Sequence, residues 1–373
     1  MKTVLIYRET LLARSETFIK AQAESLARYH VRFAGVCPAR ASLRLDHDTA
    51  VLAPGDGLMR PIKIALYEKL HFAPAFKARL KRWGADLVHA HFAPDGARAV
   101  RLARFLGVPL VVTLHGYDVT KREAIRSNYR KLWDQADLFL CVSNFIRERA
   151  IEFGFPAQKL LTQYIGVDES WFTPSDRREQ EETKHVLFVG RLVEKKGCKY
   201  LIEAMYDVQR ALPDALLTVV GDGPLRSSLE ESATRLGVRC DFVGAQDADS
   251  IRRYLRRADV FCVPSVTAAD GDSEGFGIVF IEAQAAGVPV VSFRHGGIPE
   301  AVHDGISGLL ASEGNVDELA RHIIRFLAND NMRLAAGEAG RKYVRARYSL
   351  TKRTAELEDI YDHVLLSRGS RHS

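Results

Sequence analysis

The segment SEGFGIVFIEA, residues 273–283, joins a polar, glycine-containing loop directly to an apolar helix. It places Glu274 and Glu282 eight residues apart, which is about two and a quarter helical turns. If the helix starts near Gly277, Glu274 precedes its N-terminus and Glu282 lies one to two turns inside it. The free N–H groups there form an anion site, with carboxylates on both sides for sugar or ribose hydroxyls. A loop broken by glycines that carries two solvated glutamates explains the same residues equally well. The rest of the chain is needed to distinguish the two interpretations.

The chain around this segment has the pattern of an α/β protein with two domains. Its 373 residues are too many for one ordinary core. In both halves, short apolar runs alternate with helical stretches, which is typical of parallel sheets covered by helices on both faces. The charged stretch TPSDRREQEETK, residues 173–184, separates the halves. We expect a first domain at 1–170, a linker at 171–185, a second domain at 186–350, and a C-terminal helix at 351–373 that packs back toward the first domain.

The composition argues against several classes of protein. Hydrophobic residues make up 47% and charged residues 27%, as in ordinary globular proteins. No window approaches the ~18 apolar residues that span a membrane. The apolar run in MKTVLIY, residues 1–7, is too short for a signal peptide and predicts a first buried strand instead. The five cysteines are scattered without a C-x-x-C pair, which indicates a reducing cytosol and argues against a zinc site or disulfides.

Positive charge is concentrated in the first half of the chain. Residues 1–168 contain 26 Lys and Arg against 16 Asp and Glu, whereas the remaining 205 residues contain 27 against 31. This asymmetry suggests an anionic surface or acceptor as partner, although a solvated lysine-rich surface explains it equally well. Residues 58–83 combine apolar side chains at near-helical spacing with Lys and Arg, and Pro74 divides them into two helices. They fit a membrane-surface segment or an amphipathic helix packed on a sheet. A nucleic-acid partner is not expected, because aromatic interleaving is missing.

In the first half, two histidines lie at the predicted ends of adjacent parallel strands. His91 ends the run DLVHAH, residues 86–91, and His115 follows the run PLVVTL, residues 109–114. Ligands bind beyond the C-terminal ends of such strands, so the pair indicates a functional site, although a lone histidine there is more often structural.

Earlier in the chain, Ser15 is a candidate N-cap for a helix that runs to about Tyr29, after a strand at residues 4–7.

In the second half, a basic turn follows a predicted strand at residues 186–189. Arg191 and Lys196 stand five residues apart in this turn, where both can converge on one diphosphate. The segment GDGPLR, residues 221–226, lacks the third glycine of a dinucleotide fingerprint, so a dehydrogenase is a weak alternative. The glycine pair at residues 296–297 allows a close approach of the backbone to a ligand.

Three D-x-D strings could in principle hold a divalent metal. They lie at residues 46–48, 247–249 and 270–272, and none directly follows an apolar strand. We interpret them as turn residues. Since Arg191, Lys196 and a helix N-terminus can meet the charge of a diphosphate, no metal is expected.

These motifs, in their order and spacing, resemble those of the retaining glycosyltransferases of family 4, and the resemblance covers nearly the whole chain. They are SETFI (15–19), HAHFAPDGA (89–97), LHGYD (114–118), SNFIRE (143–148), GVD (166–168), GRLVEKKG (190–197), VVGDGPL (219–225), SEGFGIVFIEA (273–283) and GVPVVSFRHGGIPE (287–300). The sequence is most similar to the branch that assembles bacterial exopolysaccharides, of the colanic-acid or amylovoran type. The resemblance implies the GT-B fold, in which two Rossmann-like domains face each other across a cleft.

The resemblance also implies roles for the residues of the cleft. Glu282 would hold the donor ribose, and Glu274 would face the donor sugar or its leaving phosphate. Arg191 and Lys196 would stabilise the departing diphosphate, and His115 would contact the donor sugar near the reacting carbon. Other donor contacts would come from the backbone N–H groups of Phe276, Gly277, Ile278 and Val279, and the base would lie near Gly221, Val243 and Gly244.

The implied chemistry is front-face substitution with retention, in which the leaving phosphate helps to deprotonate the acceptor. The donor would be a UDP- or GDP-sugar, without a metal cofactor, and the acceptor a saccharide or a lipid-linked sugar. The enzyme would be cytoplasmic and peripheral at the inner face of the membrane, with the basic first domain against anionic lipid. A sugar-nucleotide 2-epimerase and a non-catalytic sugar-nucleotide-binding protein are the alternatives.

The sequence departs from the family in one place. Many relatives carry a Gly-Gly loop after the first strand, whereas residues 8–14 contain no glycine. The phosphate-side role of that loop is therefore in doubt. We assign contact with the acceptor to Ser15, Glu16, Thr17 and His91 instead.

Overall fold

Each half of the chain builds its own parallel β-sheet, in a computed structural model that describes residues 1–13, 16–39, 42–121, 129–171 and 183–369. The central strands β4 and β5 are buried along their whole length, which is why their sequences are almost continuously apolar. The strands of the first sheet are β1 Lys2–Leu11, β2 Tyr29–Pro38, β3 Thr49–Val51, β4 Leu87–His91, β5 Leu110–Leu114, β6 Leu138–Cys141 and β7 Leu160–Thr162. Their order is β3-β2-β1-β4-β5-β6-β7.

Helices cover the first sheet. They are α1 Thr17–Glu24, α2 Met59–Leu70, α3 Pro74–Arg82, α4 Ala93–Leu106, α5 Tyr117–Thr120, α6 Arg130–Gln135 and α7 Asn144–Glu152. The predicted division of residues 58–83 at Pro74 is confirmed, because α2 ends before Pro74 and α3 begins with it. Ser143 caps α7, since its hydroxyl accepts a hydrogen bond from the Ile146 N–H at 3.1 Å.

The second sheet repeats this architecture. Its strands are β8 Lys184–Val189, β9 Ala215–Val220, β10 Cys240–Gly244, β11 Val260–Cys262, β12 Val290–Phe293 and β13 Gly308–Ala311, in the order β10-β9-β8-β11-β12-β13. Its helices are α8 Cys198–Ala211, α9 Arg226–Leu236, α10 Ala248–Arg257, α11 Ile278–Ala285, α12 Ile298–Ala301, α13 Val316–Leu327 and α14 Asp330–Arg347. Strand β8 begins shortly before the expected boundary at residue 186, and most of the expected linker, residues 172–182, lies outside the described residues.

The strand order reverses once in each sheet, between β1 and β4 and between β8 and β11. At such a switch point the loops leave the sheet in opposite directions and open a crevice beyond the strand ends. In the first domain this crevice adjoins Arg8 and His91. In the second domain it adjoins the turn after β8 and the loop that precedes α11. The topology thus brings both groups of predicted site residues to strand ends.

The last helix, α15 Leu350–Gly369, lies against the first domain. The Arg28 backbone N–H and guanidinium donate hydrogen bonds to Glu358, and the Tyr29 hydroxyl donates one to Asp362 at 2.8 Å. Tyr361 is fully buried in the same interface. Helix α15 therefore packs against the domain that contains β1 and β2. Within the described ranges, no helix combines the length and the apolar character that crossing a membrane requires.

The prediction for the start of the chain is partly wrong. The first strand was expected at residues 4–7, but β1 extends to Leu11 because its backbone stays paired with β2, with Arg8 opposite Gly35. The expected helix to Tyr29 is shorter, since α1 ends at Glu24 and Tyr29 begins β2. Glu16 occupies the N-cap position of α1, and the predicted cap Ser15 lies outside the described residues.

Candidate active site

The N-terminus of α11 forms an open cradle of backbone donors. Gly277 is its N-cap with a φ of +81°, a left-handed conformation that favours glycine. The first helical residue is Ile278, so the predicted helix start is confirmed. The N–H groups of Ile278 and Val279 make no hydrogen bond within the described part of the chain. The positive end of the helix dipole and these free donors suit an anionic group.

Glu274, just before this helix, is a buried carboxylate with a cation against it. The Lys196 ammonium lies 2.5 Å from Glu274 Oε2, and the Ser265 hydroxyl donates a hydrogen bond to the same oxygen at 3.3 Å. Burial alone would raise the pKa of Glu274, but the ammonium groups of Lys196 and Lys195 outweigh it and lower the pKa to about 2. Glu274 is therefore ionised at neutral pH, and the two predicted site residues Lys196 and Glu274 form one ion pair.

Arg191, in the same turn after β8, keeps its charge available. Its side chain is exposed and makes no ion pair or hydrogen bond within the described residues. The turn is held by the Val266 N–H, which donates a hydrogen bond to the Lys195 carbonyl at 2.9 Å. A Cβ at Gly197 would lie 1.8 Å from the Pro264 carbonyl oxygen, so only glycine permits this approach. The close packing fixes the basic turn beside the Glu274 loop.

Glu282 has a different environment from Glu274. It lies one turn into α11, is half-buried, and has no ion-pair or hydrogen-bond partner for its carboxylate among the described residues. Burial raises its pKa to about 7. A half-buried carboxylate without a partner is a candidate acceptor of hydrogen bonds from ligand hydroxyls, because these hydrogen bonds would offset its lost hydration.

The residues predicted to meet the base lie where β9 and β10 end. The Gly221 N–H donates a hydrogen bond to the Gly244 carbonyl at 2.8 Å, and Val243 and Gly244 are half-buried. A Cβ at Gly221 would lie 1.9 Å from the Gly190 carbonyl oxygen. The backbones of three neighbouring strand ends therefore pack directly against one another. Phe276, by contrast, packs its ring against Tyr348 at 5.2 Å, so only its backbone is available to a donor.

His115 of the first domain meets the Glu274 loop across the cleft. The Asp118 carboxylate fixes the loop of His115 by accepting hydrogen bonds from the N–H groups of His115 and Gly116. A Cβ at Gly275 would lie 2.1 Å from the His115 carbonyl oxygen. The two predicted site halves are thus in backbone contact. Burial and the nearby Arg8 guanidinium lower the pKa of the His115 imidazole well below its ordinary value, so the ring is neutral at neutral pH.

The residues assigned to the acceptor are less accessible than expected. His91 is 1% exposed, and its Nδ1 lies 3.0 Å from His115 Nε2, so its contact is His115 rather than an acceptor. Glu16 is held by the Arg8 guanidinium at 2.5 Å and by the Ala13 N–H at 3.0 Å. Thr17 begins α1 beside Glu16 and is exposed, while Ser15 lies outside the described residues.

Arg8 lies in the segment of residues 8–14 that contains no glycine. It is buried between the carboxylates of Asp95 and Glu16, with which it forms ion pairs, and its guanidinium lies 4.5 Å from the centre of the Phe92 ring. The sequence did not reveal this cluster. Phe92 has a φ of +71°, a conformation that is rare outside glycine and is often found at functional sites.

Both aspartates of the D-x-D string nearest to the site form ion pairs with lysine side chains. The Lys121 ammonium lies 2.9 Å from Asp270, and the Lys195 ammonium lies 3.0 Å from Asp272. Over the described ranges, no group of three His, Cys, Asp or Glu side chains could hold a metal ion. Lys121 belongs to the first domain, so its pairing with Asp270 bridges the cleft.

A second bridge across the cleft comes from Glu300. Its carboxylate accepts hydrogen bonds from the backbone N–H groups of Asn144 and Phe145 at 2.8 and 2.9 Å, at the N-terminus of α7. The Ser143 hydroxyl donates a hydrogen bond to the Gly275 carbonyl at 2.6 Å. These residues belong to the motifs SNFIRE, SEGFGIVFIEA and GGIPE, but only the three-dimensional structure shows that the motifs meet. They join the two domains beside the site.

Two protein families match adjacent parts of this chain. The family described as "Glycosyltransferase Family 4" matches residues 15–171, and the one described as "Glycosyl transferases group 1" matches residues 169–343. The amylovoran biosynthesis glycosyltransferase AmsK of Erwinia amylovora is 33% identical over 286 residues, covering 74% of this chain and 70% of AmsK.

Two further proteins extend the comparison. A GDP-mannose-dependent alpha-(1-6)-phosphatidylinositol monomannoside mannosyltransferase of Mycobacterium tuberculosis is 35% identical over 273 residues, covering 69% of this chain and 71% of the relative. Among solved structures, Alr3699/HepE of Anabaena, in complex with UDP and glucose, matches with a TM-score of 0.79 at 20% identity. That match covers 97% of this chain and 100% of the other.

Proposed function

The chain belongs to the glycosyltransferases of family 4, and from this premise we propose that it transfers a hexose from a nucleoside-diphosphate sugar with retention of configuration. The expected GT-B fold is confirmed by the structural neighbours. The acceptor is a saccharide or a lipid-linked sugar on the way to a bacterial cell-surface glycan. AmsK is named for amylovoran biosynthesis, and the mycobacterial relative is named as a GDP-mannose-dependent phosphatidylinositol monomannoside mannosyltransferase; both names support this assignment.

The observation that carries the proposal is the cation and dipole cluster at α11. Lys196, the free guanidinium of Arg191 and the N-terminus of α11 all lie at strand ends of the second domain, opposite His115. A diphosphate bound there gains negative charge as the glycosidic bond breaks, and fixed cations and N–H groups stabilise that charge. Glu274 holds Lys196 in place and neutralises part of its charge before the donor arrives.

In the proposed reaction, the bond between the sugar C1 and the diphosphate oxygen breaks while the acceptor oxygen bonds to C1 from the same face. The acceptor proton passes to the leaving phosphate. No carboxylate nucleophile is needed, and Glu274 is suited to an electrostatic role because its pKa of about 2 and its ion pair make it a weak base. We propose that the reaction needs no metal, since Asp270 and Asp272 are already paired with lysines.

A donor screen tests this proposal. Thermal unfolding is followed with UDP, GDP and their hexose conjugates, and a bound donor at about 100 times its Kd stabilises the protein by about 2.7 kcal/mol. We expect Lys196→Ala to lose this shift and to release nucleoside diphosphate at least about 100-fold more slowly. Lys199→Ala is the matched control, because that lysine is 68% exposed and pairs only loosely, at 3.8 Å, with Glu203.

Removing Lys196 alone leaves the buried Glu274 without its main partner, which could also unfold the domain. The double variant Lys196→Met/Glu274→Gln removes both charges and keeps their volume. A folded double variant that neither binds a donor nor turns it over supports the site. Turnover by Lys196→Ala at the rate of Lys199→Ala would overturn it, as would a wild-type protein that no sugar nucleotide stabilises.

We also propose that the α2–α3 surface rests on an anionic membrane and presents the active site to a lipid-linked acceptor. This surface comprises residues 58–83. Leu58, Leu70 and Phe72 are 94, 71 and 61% exposed, and lysines and arginines surround them. An open, mainly apolar cavity of about 380 Å³ lies beneath, between α2, α3 and β3, with Lys63 and Arg79 in its wall. Exposed apolar side chains ringed by cations are what an interfacial segment presents to lipid headgroups.

Vesicle sedimentation tests the membrane assignment. Each basic residue near an anionic surface contributes about 1 kcal/mol, so Lys63→Glu/Lys81→Glu is expected to weaken binding to phosphatidylglycerol vesicles by at least about tenfold. The control Lys342→Glu reverses an exposed charge on α14, in the other domain. Equal binding by both variants, or equal binding to neutral phosphatidylcholine vesicles, would contradict the assignment.

A further inference from the structure

Three histidines of the first domain form a continuous stack that ends in the active site. His89 and His91 alternate with Ala90 on β4 and therefore point to the same face of the sheet. Their ring centres are 4.4 Å apart, and those of His91 and His115 are 5.3 Å apart with the planes inclined by 26°. The stack runs from the interface with the C-terminal helix to the cleft.

The inner end of the stack is fixed by hydrogen bonds. His89 Nδ1 lies 2.6 Å from the hydroxyl of Tyr361 on α15, and His89 Nε2 lies 2.7 Å from the hydroxyl of Thr113 on β5. Both ring nitrogens of His89 are thus satisfied, and the ring cannot rotate without breaking a buried hydrogen bond. His89 is 1% exposed and forms a rigid floor under His91.

The outer end of the stack is a bond between two imidazoles. His91 Nδ1 and His115 Nε2 are 3.0 Å apart. One of the two nitrogens must carry the proton and the other must accept it, because two N–H groups or two lone pairs would repel at this distance. The bond therefore couples the tautomers of the two rings. His115 Nδ1 has no hydrogen-bond partner among the described residues, and it is not buried away from solvent. It is therefore the ring nitrogen that is available to a ligand.

From this geometry we infer that His91 is a positioning residue: it fixes the ring orientation and the tautomer of His115, and so decides whether Nδ1 donates to or accepts from the donor sugar. The inference rests on the proposed transferase reaction for its catalytic consequence. It replaces direct contact of His91 with the acceptor, which its 1% exposure opposes. Arg8 donates a hydrogen bond to the His91 carbonyl at 3.2 Å and holds the backbone at the same point.

The test compares three substitutions in the full chain. His91→Leu removes the partner of His115. His91→Asn keeps it, because the carboxamide of asparagine stands close to where Nδ1 of the imidazole stands. Val88→Ala is the control, since Val88 is buried on the same strand but belongs to the opposite face. A misplaced catalytic group costs about 10- to 100-fold in rate.

We expect His91→Leu to lower kcat by about 10- to 100-fold with little change in the donor KM, and His91→Asn to recover much of the loss. Val88→Ala should lower the thermal stability without lowering kcat. A merely structural role for His91 predicts instead that all three variants lose activity only in proportion to their loss of folded protein. That result would overturn the inference.

A second readout does not depend on activity. The ¹⁵N chemical shifts of labelled histidine report which ring nitrogen carries the proton. We expect one tautomer of His115 in the wild type and in His91→Asn, and a mixture in His91→Leu. A mixture in the wild type, or an unchanged single tautomer in folded His91→Leu, would refute the inference. If no sugar nucleotide is turned over at all, the proposed function fails while this measurement still tests the His91–His115 bond.

Discussion

Replacing Glu282 with glutamine separates the effect of this half-buried carboxylate on protein stability from its effect on donor binding. The pKa of Glu282 is raised from 4.5 to about 7 by burial. Between these values the unfolded chain has lost the proton while the folded protein still holds it, so the wild-type free energy of unfolding falls as the pH rises from about 4.5 to about 7. Above pH 7 the loss is complete and constant. Glutamine does not titrate, so this loss of stability does not occur in the variant.

The size of the effect follows from the shift. At 1.36 kcal/mol per pKa unit, a rise from 4.5 to about 7 corresponds to roughly 3 kcal/mol. Since Glu282 is only half-buried, we expect solvent to reduce this to about 1–2 kcal/mol. For a domain of this size, 1 kcal/mol changes Tm by about 2–4 °C. Glu282→Gln should therefore unfold about 2–8 °C above the wild type near pH 8 and at the same temperature near pH 4.5.

The same substitution should weaken donor binding. An ionised Glu282 accepts hydrogen bonds from ribose hydroxyls more strongly than a neutral amide does, and a hydrogen bond to a charged group contributes about 1.5–3 kcal/mol. Titration calorimetry should show that wild-type affinity for the preferred nucleoside diphosphate rises up to about pH 7, whereas the variant binds about 10- to 100-fold more weakly with little dependence on pH. A Gln variant that is less stable than the wild type near pH 8, or that binds nucleotide equally well, would refute the reasoning.

Three other predictions concern the same cleft. Glu274→Gln should lower Tm at neutral pH, because a depressed pKa of about 2 contributes stability above pH 4.5 that is lost as the pH falls toward 2; an equal Tm difference near pH 3 and pH 7 would contradict this. Gly275→Ala should cost at least about tenfold in activity, since its Cβ would lie 2.1 Å from the His115 carbonyl oxygen, whereas Gly57→Ala meets nothing within 4 Å and should be neutral. EDTA should leave the rate of nucleotide release unchanged, and a loss that Mn²⁺ restores would show that a metal is required.

The sequence predicts where the second-domain residues of the candidate site lie, and the reason is local. Arg191, Lys196 and Glu274 each lie in a loop directly after or before a regular element, so the strand pattern and the switch-point rule together place them at one edge of the sheet. The helix start at Gly277 is predictable for the same reason, because the glycine and the apolar run that follows are adjacent in sequence. The opposite environments of Glu274 and Glu282 are not visible in the sequence.

The first-domain half depends on contacts between distant residues and was predicted less well. Strand β1 continues past Tyr7 because its backbone pairs with β2, a partner that local propensity does not reveal. Arg8 is buried because Glu16 and Asp95, the latter 87 residues away, compensate its charge. The position of His91 likewise depends on residues far along the chain, Thr113 of β5, which pairs with it in the sheet, and His115. A histidine at a strand end was a sound candidate, but its sequence position could not distinguish contact with a ligand from support of another histidine.

The central claim is that this cleft transfers a sugar from a nucleoside diphosphate with retention, and the anomeric configuration of the first product tests it most directly. ¹H NMR of the reaction with the donor found in the screen measures the coupling constant at C1 before any equilibration. We predict the configuration of the donor in the product of the wild type, and product formation by Lys196→Ala that is at least about 100-fold slower. An inverted linkage, or a product of either configuration formed by Lys196→Ala at the wild-type rate, would contradict it.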